Sequence, residues 1–219
     1  METENGKREC TVNYKEHLVR YARIAEEKRL VNTLEGNLSV LDRETGLIYI
    51  TPSRTMKLLL EEEQVSVMDA GGRQVGGSIP HSSEYLLHRA VYEARPDCNA
   101  CLHSHAPFLS AWAMCEKKVE IPENAGFLLI FQDIPCLPFG MPGTRAIHGG
   151  LEEAMRDRQV VLLGRHGAVS TGKDPAAAIG LMEAAEELVK TYFIARAVGE
   201  PEKFGGAGYK ALVEAAMYR

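Results

Sequence analysis

The chain carries its most informative stretch at Ala100-Cys101-Leu102-His103-Ser104-His105, where two histidines alternate with small residues inside an apolar run. Side chains on a β-strand alternate between the two faces of a sheet, so His103 and His105 are expected to point to the same side. A half-buried strand normally carries Val or Ile there, and buried imidazoles need hydrogen bonds or a cation. The pair therefore indicates either a metal site or two exposed histidines on an edge strand.

The composition is that of an ordinary globular chain. It has 219 residues, 45% of them hydrophobic and 25% charged, which suits one domain. The formal net charge is -5, and no basic stripe for nucleic acid or an anionic membrane is present. Residues 1–9 lack the apolar core of a signal peptide, and no run approaches the roughly 20 apolar residues of a membrane span. We therefore expect a cytoplasmic protein, with its cysteines reduced.

Hydrophobic spacing predicts alternating helices and strands along the rest of the chain. Helices are expected within 11–31, from Ser82 to Pro96, and over 106–115, 144–158 and 175–198. Strands are expected in two hairpins, at 37–50 and from 65 onwards, and at 160–163. Residues 121–139 fit either helix or strand, and they stay unassigned.

The expected strand at 160–163 runs into Gly164-Arg165-His166-Gly167. A histidine flanked by glycines at a strand end can bring its ring close to another strand without crowding. His166 is therefore the predicted third ligand beside His103 and His105. Three histidines from two strands with an open fourth position are typical of a catalytic zinc site.

The sequence also offers an alternative ligand set that contains cysteines. Cys98 and Cys101 precede the histidines as Cys-x2-Cys-x-His-x-His, which could form a closed structural site. Such sites usually draw ligands from two separated knuckles, so this alternative is disfavoured. The remaining histidines are expected on helix surfaces or in loops, as non-ligands: His17, His81, His88 and His148.

Two hydroxyl-rich segments are candidate anion sites. Thr51-Pro52-Ser53-Arg54 places hydroxyls next to a cation, which could hold an anion or cap a short helix. Ser82-Ser83-Glu84 opens a predicted helix, whose free backbone amides and hydroxyls suit a phosphate. Glu84 taken alone is an acid in a first helical turn, where the helix dipole favours it.

Five segments together resemble one known family. They are Gly36-Asn37-x-Ser39, Thr51-Pro52-Ser53, Ser82-Ser83-Glu84, His103-x-His105 and Gly164-Arg165-His166-Gly167. In this order and at about this spacing they resemble the class II aldolase/adducin family, over residues 12–199. The spacing is most similar to that of the branch that acts on fuculose phosphate. The acid at position 84 is a Glu, which resembles the aldolases of that family, whereas its epimerases have Asp there.

The resemblance implies a fold and an assembly. It implies a single α/β domain over 1–219 with three α/β/α layers and a largely antiparallel central sheet. Residues 1–10 and 200–219 would be flexible tails. The family's aldolases are homotetramers with sites at subunit boundaries, so a homotetramer is implied here, with a small sugar phosphate as the other partner.

The resemblance also implies a chemistry, a metal-dependent carbon–carbon lyase that splits a ketose 1-phosphate into dihydroxyacetone phosphate and an aldehyde. His103, His105 and His166 would hold Zn2+, with Co2+ or Mn2+ as alternatives. Glu84 would move a proton on and off the dihydroxyacetone phosphate carbon, and in the empty site it could be a fourth ligand. The positions that match the family's phosphate contacts are Asn37, Ser53, Ser82 and Ser83.

Two departures from the family pattern leave the substrate open. Arg54 stands where the family usually has Gly, and it could pair with the phosphate or with a substrate carboxylate. Residues 121–127 lack the tyrosine that acts on the leaving aldehyde in fuculose-phosphate aldolases. L-fuculose 1-phosphate, a 5-deoxypentulose 1-phosphate and a methylthiopentulose 1-phosphate are all consistent with the pattern. The alternatives are a decarboxylase, dehydratase or epimerase on the same metal scaffold, and lastly a non-enzymatic adducin-like scaffold, which would lose metal ligands.

Overall fold

A mixed sheet of eight strands organises residues 13–216, the part of the chain that the computed structural model describes. The strands are β1 (Asn37–Leu41), β2 (Ile48–Ile50), β3 (Ser66–Met68), β4 (Gln74–Gly76), β5 (Ala100–Ser104), β6 (Cys136–Leu137), β7 (Val160–Leu163) and β8 (Gly167–Gly172). They lie side by side in the order β4-β3-β2-β1-β5-β8-β7-β6. Only β6 and β7 run parallel to each other; all the other neighbours are antiparallel.

Helices cover both faces of this sheet. They are α1 (Tyr14–Glu27), α2 (Tyr85–Ala94), α3 (Pro107–Ala113), α4 (Ala125–Ile130), α5 (Leu151–Met155), α6 (Pro175–Val198) and α7 (Gly206–Ala216), with short 3-10 turns at Lys57–Leu59, Glu62–Gln64 and Arg145–His148. Within residues 13–216, no helix is long and apolar enough to cross a membrane.

Two apolar cores lie on opposite faces of the sheet. The first core is formed with α1, α3, α4 and α6, and it takes Ala100 and Leu102 from β5. The second core is formed with α2 and α5, and it takes Cys101 from the same strand. Because alternate side chains of a strand point to opposite faces, β5 serves both cores. The predicted single α/β domain with three layers is confirmed.

β5 lies at the centre of the sheet and positions the histidines. It pairs with β1 on one side, with Asn37 opposite His103, and with β8 on the other, with Val169 opposite His103. Directly opposite residues of an antiparallel pair share one face of the sheet. Asn37 and His103 therefore both lie on the face that α2 covers.

One segment differs from the expectation drawn from the sequence, another had no assigned structure, and the tails stay untested. The single helix expected over 144–158 is wrong, because Gly150 adopts a left-handed backbone with φ 83° and separates the turn at Arg145–His148 from α5. The unassigned residues 121–139 form α4 and β6. Of the expected flexible tails, 1–10 lies outside the described residues, and 200–219 includes α7, which packs against α4. The flexibility of both tails stays a prediction.

Candidate metal centre

Three histidine rings and one carboxylate converge beside the end of β5. The ring centroids of His103, His105 and His166 lie 4.7 to 4.8 Å from one another. Glu84 immediately precedes α2, on the face of the sheet to which His103 points. One ligand atom from each of these four residues lies within 4.8 Å of all the others. The structure thus brings together the predicted metal ligands and the predicted catalytic acid.

Two glycines, one on each side of His166, lie in close contact with neighbouring backbone segments. A Cβ atom added at Gly167 would lie 2.5 Å from the carbonyl oxygen of Ser104, and one added at Gly164 would lie 2.6 Å from that of Leu137. Any side chain at either position would push the backbone segments apart. Gly167 thus permits the close approach to β5 that the sequence predicted, whereas Gly164 permits an approach to β6.

The orientation of the His103 ring tests whether the cluster suits a cation. Its Nδ1 lies 2.9 Å from the carbonyl oxygen of Ala168. A carbonyl only accepts, so Nδ1 donates and Nε2 is the nitrogen that faces the cluster. That Nε2 lies 2.9 Å from Nε2 of His105 and 3.0 Å from Oε2 of Glu84. Imidazole nitrogens and a carboxylate oxygen are ligands of divalent metal ions, and a cation among them would bind all three, so the cluster could hold a metal ion.

The electrostatics of the site favour the protonation states that metal ligands need. Burial, reinforced by the neighbouring histidines, lowers the pKa of His105 to about 4. Burial also lowers the pKa of His166. For Glu84, burial alone would raise the pKa, but His103, His166 and the amide of Asn37 outweigh it, so the net pKa is lowered. Imidazole rings beside an ionised carboxylate form a donor set that binds divalent cations of the first transition row.

The cysteines of the alternative ligand set lie elsewhere. Cys101 is fully buried in the second core, and Cys98 is buried at the opposite end of β5 from His105. Among the described residues, the cluster of candidate ligands contains neither. The disfavoured Cys-x2-Cys reading is therefore not supported by the fold.

Two of the segments predicted to bind phosphate lie next to each other before α2. A β-bridge joins Pro52 to His81, and the backbone N–H of Ser53 donates to the carbonyl oxygen of Pro80 at 3.2 Å. The loop that contains Ser53 and Arg54 is therefore adjacent to Ser82-Ser83-Glu84. The hydroxyl of Ser82 accepts the backbone N–H of Glu84 at 3.2 Å. These hydroxyls lie on the two segments that lead into the site.

Arg54 is exposed and has a left-handed backbone with φ 55°. Glycine adopts this conformation without steric cost, whereas a residue with a Cβ is strained there. The conformation gives a physical reason for glycine at this position in a tight loop. The arginine of this chain therefore carries a conformational penalty at this position.

The expected position of His88 on the protein surface was wrong. It was expected on a helix surface or in a loop, but its side chain is fully buried. Its Nε2 makes a short hydrogen bond to Oδ1 of Asn37, and Nδ2 of Asn37 donates to Oε2 of Glu84 at 3.1 Å. The signal that could have revealed it is its spacing of four residues from Glu84, which places both on one face of a helix.

Comparison with known proteins places this architecture in one family. Residues 16–193 match the family described as Class II Aldolase and Adducin N-terminal domain. The 5-deoxy-D-ribulose 1-phosphate aldolase of Bacillus thuringiensis serovar kurstaki is 29% identical over 190 residues, which cover 86% of this chain and 88% of the relative. The 3-oxo-tetronate 4-phosphate decarboxylase of Escherichia coli O6:H1 is 30% identical over 184 residues, which cover 82% of this chain and 86% of the relative.

A solved structure supports the same assignment. An L-fuculose 1-phosphate aldolase superposes with a TM-score of 0.83 at 28% identity, covering 95% of this chain and 98% of that one. The family match extends over most of the chain, from α1 to the last turns of α6. The protein therefore belongs to the class II aldolase and adducin family, as the five motifs predicted.

Proposed function

We propose that this protein is a metal-dependent class II aldolase that reversibly cleaves a ketose 1-phosphate into dihydroxyacetone phosphate and an aldehyde. The observation that carries the proposal is the convergence of three imidazoles and one carboxylate within 4.8 Å. A scaffold without enzymatic activity would not need this donor set, which is costly to bury without a cation.

His103, His105 and His166 would hold the divalent ion, with Glu84 as a fourth ligand while substrate is absent. When bound, the ion would polarise the substrate carbonyl as a Lewis acid and stabilise negative charge next to it. Zn2+ is our first choice, with Co2+ or Mn2+ as alternatives, because imidazole binds several first-row ions.

Glu84 would be the proton carrier. Its Oε1 lies 3.3 Å from Nε2 of His166, and its Oε2 accepts a hydrogen bond from Asn37, so the carboxylate is held at the edge of the cluster. In the direction of synthesis it would remove a proton from the hydroxymethyl carbon of dihydroxyacetone phosphate, and it would return that proton after cleavage. Substrate that excludes water would raise the pKa of this carboxyl and ease the transfer.

The phosphate would bind at the segments that border the cluster. Asn37 has a second amide N–H that Glu84 does not use, and Ser53, Ser82 and Ser83 offer hydroxyl and backbone donors. Arg54 adds a positive charge to the same loop. The names of the two aldolase relatives support a ketose 1-phosphate as the substrate, with either L-fuculose 1-phosphate or a 5-deoxypentulose or methylthiopentulose 1-phosphate as its particular form.

A decarboxylase acting on a phosphorylated 3-oxo acid is the second candidate. It is favoured by the relative of that activity and by Arg54, whose guanidinium can bind a carboxylate in a bidentate manner. The same metal scaffold would serve both reactions, because each leaves a negative charge next to a carbonyl. A cytoplasmic homotetramer, as in the family's aldolases, stays a prediction.

The first experiment measures release of dihydroxyacetone phosphate from a panel of ketose 1-phosphates that includes the L-fuculose, 5-deoxyribulose and 5-methylthioribulose forms. The protein is assayed as purified, after treatment with a chelator, and after reloading with Zn2+, Co2+ or Mn2+. We expect release that depends on metal, and a Glu84→Gln variant slower by about 10²–10⁴-fold because it cannot carry the proton.

Two further variants complete this experiment. His103→Ala should lose both metal and activity, whereas His148→Ala, which changes a histidine outside the cluster, should retain both. Absence of release from every ketose 1-phosphate by metal-loaded protein would refute the aldolase proposal. Release of carbon dioxide from a phosphorylated 3-oxo acid would then support the second candidate.

A further inference from the structure

A row of buried polar side chains leads away from Glu84 beneath the metal cluster. Glu84, His88 and Tyr92 follow one another at intervals of four residues, so they share the face of α2 that packs on the sheet. Across from them, Asn37 and Ser39 point to the same face from β1, where they pair with His103 and Cys101. Most of the other buried side chains on this face are apolar. A polar row in this position calls for an explanation, because apolar side chains would fill the same space without a desolvation cost.

Every member of the row is joined to the next by a hydrogen bond. Oε2 of Glu84 accepts from Nδ2 of Asn37 at 3.1 Å, and Oδ1 of Asn37 is bonded to Nε2 of His88. Nδ1 of His88 lies 2.6 Å from Oγ of Ser39, and Oγ of Ser39 lies 2.6 Å from the hydroxyl of Tyr92. His88 and Ser39 are fully buried, and Tyr92 and Asn37 are 4% and 6% exposed.

The direction of each bond follows from the carboxylate. A carboxylate only accepts, so Asn37 must turn its NH2 group towards Glu84 and its oxygen towards His88. An amide oxygen also only accepts, so Nε2 of His88 carries the hydrogen. Burial lowers the pKa of His88 to about 3, so the ring is neutral and its Nδ1 accepts from Ser39. The Ser39 oxygen then accepts from Tyr92, whose pKa burial raises, so that its proton is retained.

We propose that Tyr92, Ser39 and His88 are positioning residues that fix the orientation of the Asn37 amide, which in turn holds Glu84 in place for proton transfer. With its oxygen fixed by His88, the amide directs one N–H at Glu84 and leaves the second for the substrate phosphate. Without the relay the amide can rotate and present its oxygen to the carboxylate, which would repel Glu84. The function of Glu84 that the relay serves rests on the proposed aldolase activity.

A pair of His88 variants separates positioning from packing. In His88→Gln the side-chain amide nitrogen can occupy the position of Nε2 and still donate to Asn37. The side chain of asparagine is one carbon shorter, so in His88→Asn the amide nitrogen can occupy only the position of Nδ1. The rate of deuterium incorporation into dihydroxyacetone phosphate, followed by proton NMR on zinc-loaded protein, reports proton transfer without any aldehyde. We expect His88→Gln to stay within about threefold of the original protein and His88→Asn to lose at least about tenfold in kcat, with KM and zinc stoichiometry retained.

Tyr92→Phe provides a test that removes a single oxygen atom, should both His88 variants fail to fold. Its matched control is Tyr85→Phe on the same helix, because Tyr85 is equally buried but its hydroxyl donates to the carbonyl oxygen of Asp69, outside the row. We expect Tyr92→Phe to slow the exchange about fivefold and Tyr85→Phe to leave it unchanged.

A measurement on metal-free protein tests the relay without any activity. Nitrogen-15 chemical shifts should show His88 as the neutral tautomer with its hydrogen on Nε2. A hydrogen on Nδ1, or full exchange activity in both His88→Asn and Tyr92→Phe, would overturn the proposal. If the original protein exchanges no deuterium at all, the proposed function fails, and the tautomer of His88 by itself decides whether the relay exists.

Discussion

Gly167→Ala tests whether the close approach of β8 to β5 holds the histidines in place. The added Cβ would lie 2.5 Å from the carbonyl oxygen of Ser104 and 3.4 Å from Cε1 of His103. A non-bonded contact of this kind needs about 3 Å or more, so the two strands must separate by roughly half an ångström. Ser104 lies between His103 and His105, so this displacement acts directly on two of the proposed ligands.

The expected size of the effect follows from that displacement. Overpacking in a buried position costs about 1–3 kcal/mol, so the free energy of unfolding should fall by that amount. Misplaced ligands should weaken zinc binding about tenfold, because outer contacts that orient ligands typically contribute about 10–100-fold in affinity. Urea denaturation of metal-free protein measures the first quantity, and competition with a chromophoric chelator measures the second.

Gly180→Ala is the matched control for this substitution. An added Cβ at Gly180 meets nothing within 4 Å on the exposed side of α6. Alanine favours a helix interior over glycine by about 0.5–1 kcal/mol, so this variant should be slightly more stable and bind zinc normally. If Gly167→Ala matched the original protein in both assays, the argument that the glycine permits the site would be refuted.

Two further predictions concern the phosphate loop and the buried histidine. Arg54→Gly should raise stability by up to about 1 kcal/mol by relieving its left-handed backbone, yet raise the KM for the ketose 1-phosphate about tenfold; Arg29→Gly, at an exposed arginine with φ 59°, should raise stability and leave KM unchanged. An unchanged KM in Arg54→Gly would exclude Arg54 from substrate binding. Burial lowers the pKa of His88 from 6.5 to about 3. Between these two pH values His88 is therefore protonated in the unfolded chain but neutral in the folded chain. The free energy of unfolding of metal-free protein should therefore fall on acidification through this window, by up to about 1.4 kcal/mol per pH unit from this group. Urea titrations at several pH values should show a smaller fall for His88→Gln, whereas the exposed His17→Gln should behave like the original protein; equal slopes in all three would contradict the assigned pKa.

Much of the candidate site could be predicted from the sequence because its geometry is local. The alternation of a strand places His103 and His105 on one side, and this holds wherever the strand lies in the fold. The glycines beside His166 signal a close approach, because only glycine lacks the Cβ that would prevent it. The order of the five motifs was sufficient to predict the family and the layered fold that the structure and the comparisons confirm.

Only the tertiary structure could reveal the break at Gly150 and the row from Glu84 to Tyr92. Residues that favour a helix stand before and after Gly150, so the sequence predicted one helix over 144–158. The left-handed backbone of Gly150 interrupts it. The spacing of four residues indicates that His88 shares a helix face with Glu84, but it cannot show whether the sheet opposite offers polar or apolar partners. Those partners, Asn37 and Ser39, lie about fifty residues earlier in the chain.

The sequence by itself thus determined which chemical groups are available and which local geometry each can adopt. Packing of α2 against β1 and β5 decided which of those groups meet, and it decided that His88 is buried and neutral rather than exposed. The physical reason is that the pKa of a side chain and the satisfaction of its hydrogen bonds depend on neighbours that are distant in sequence, whereas strand alternation and glycine sterics depend on residues that are adjacent.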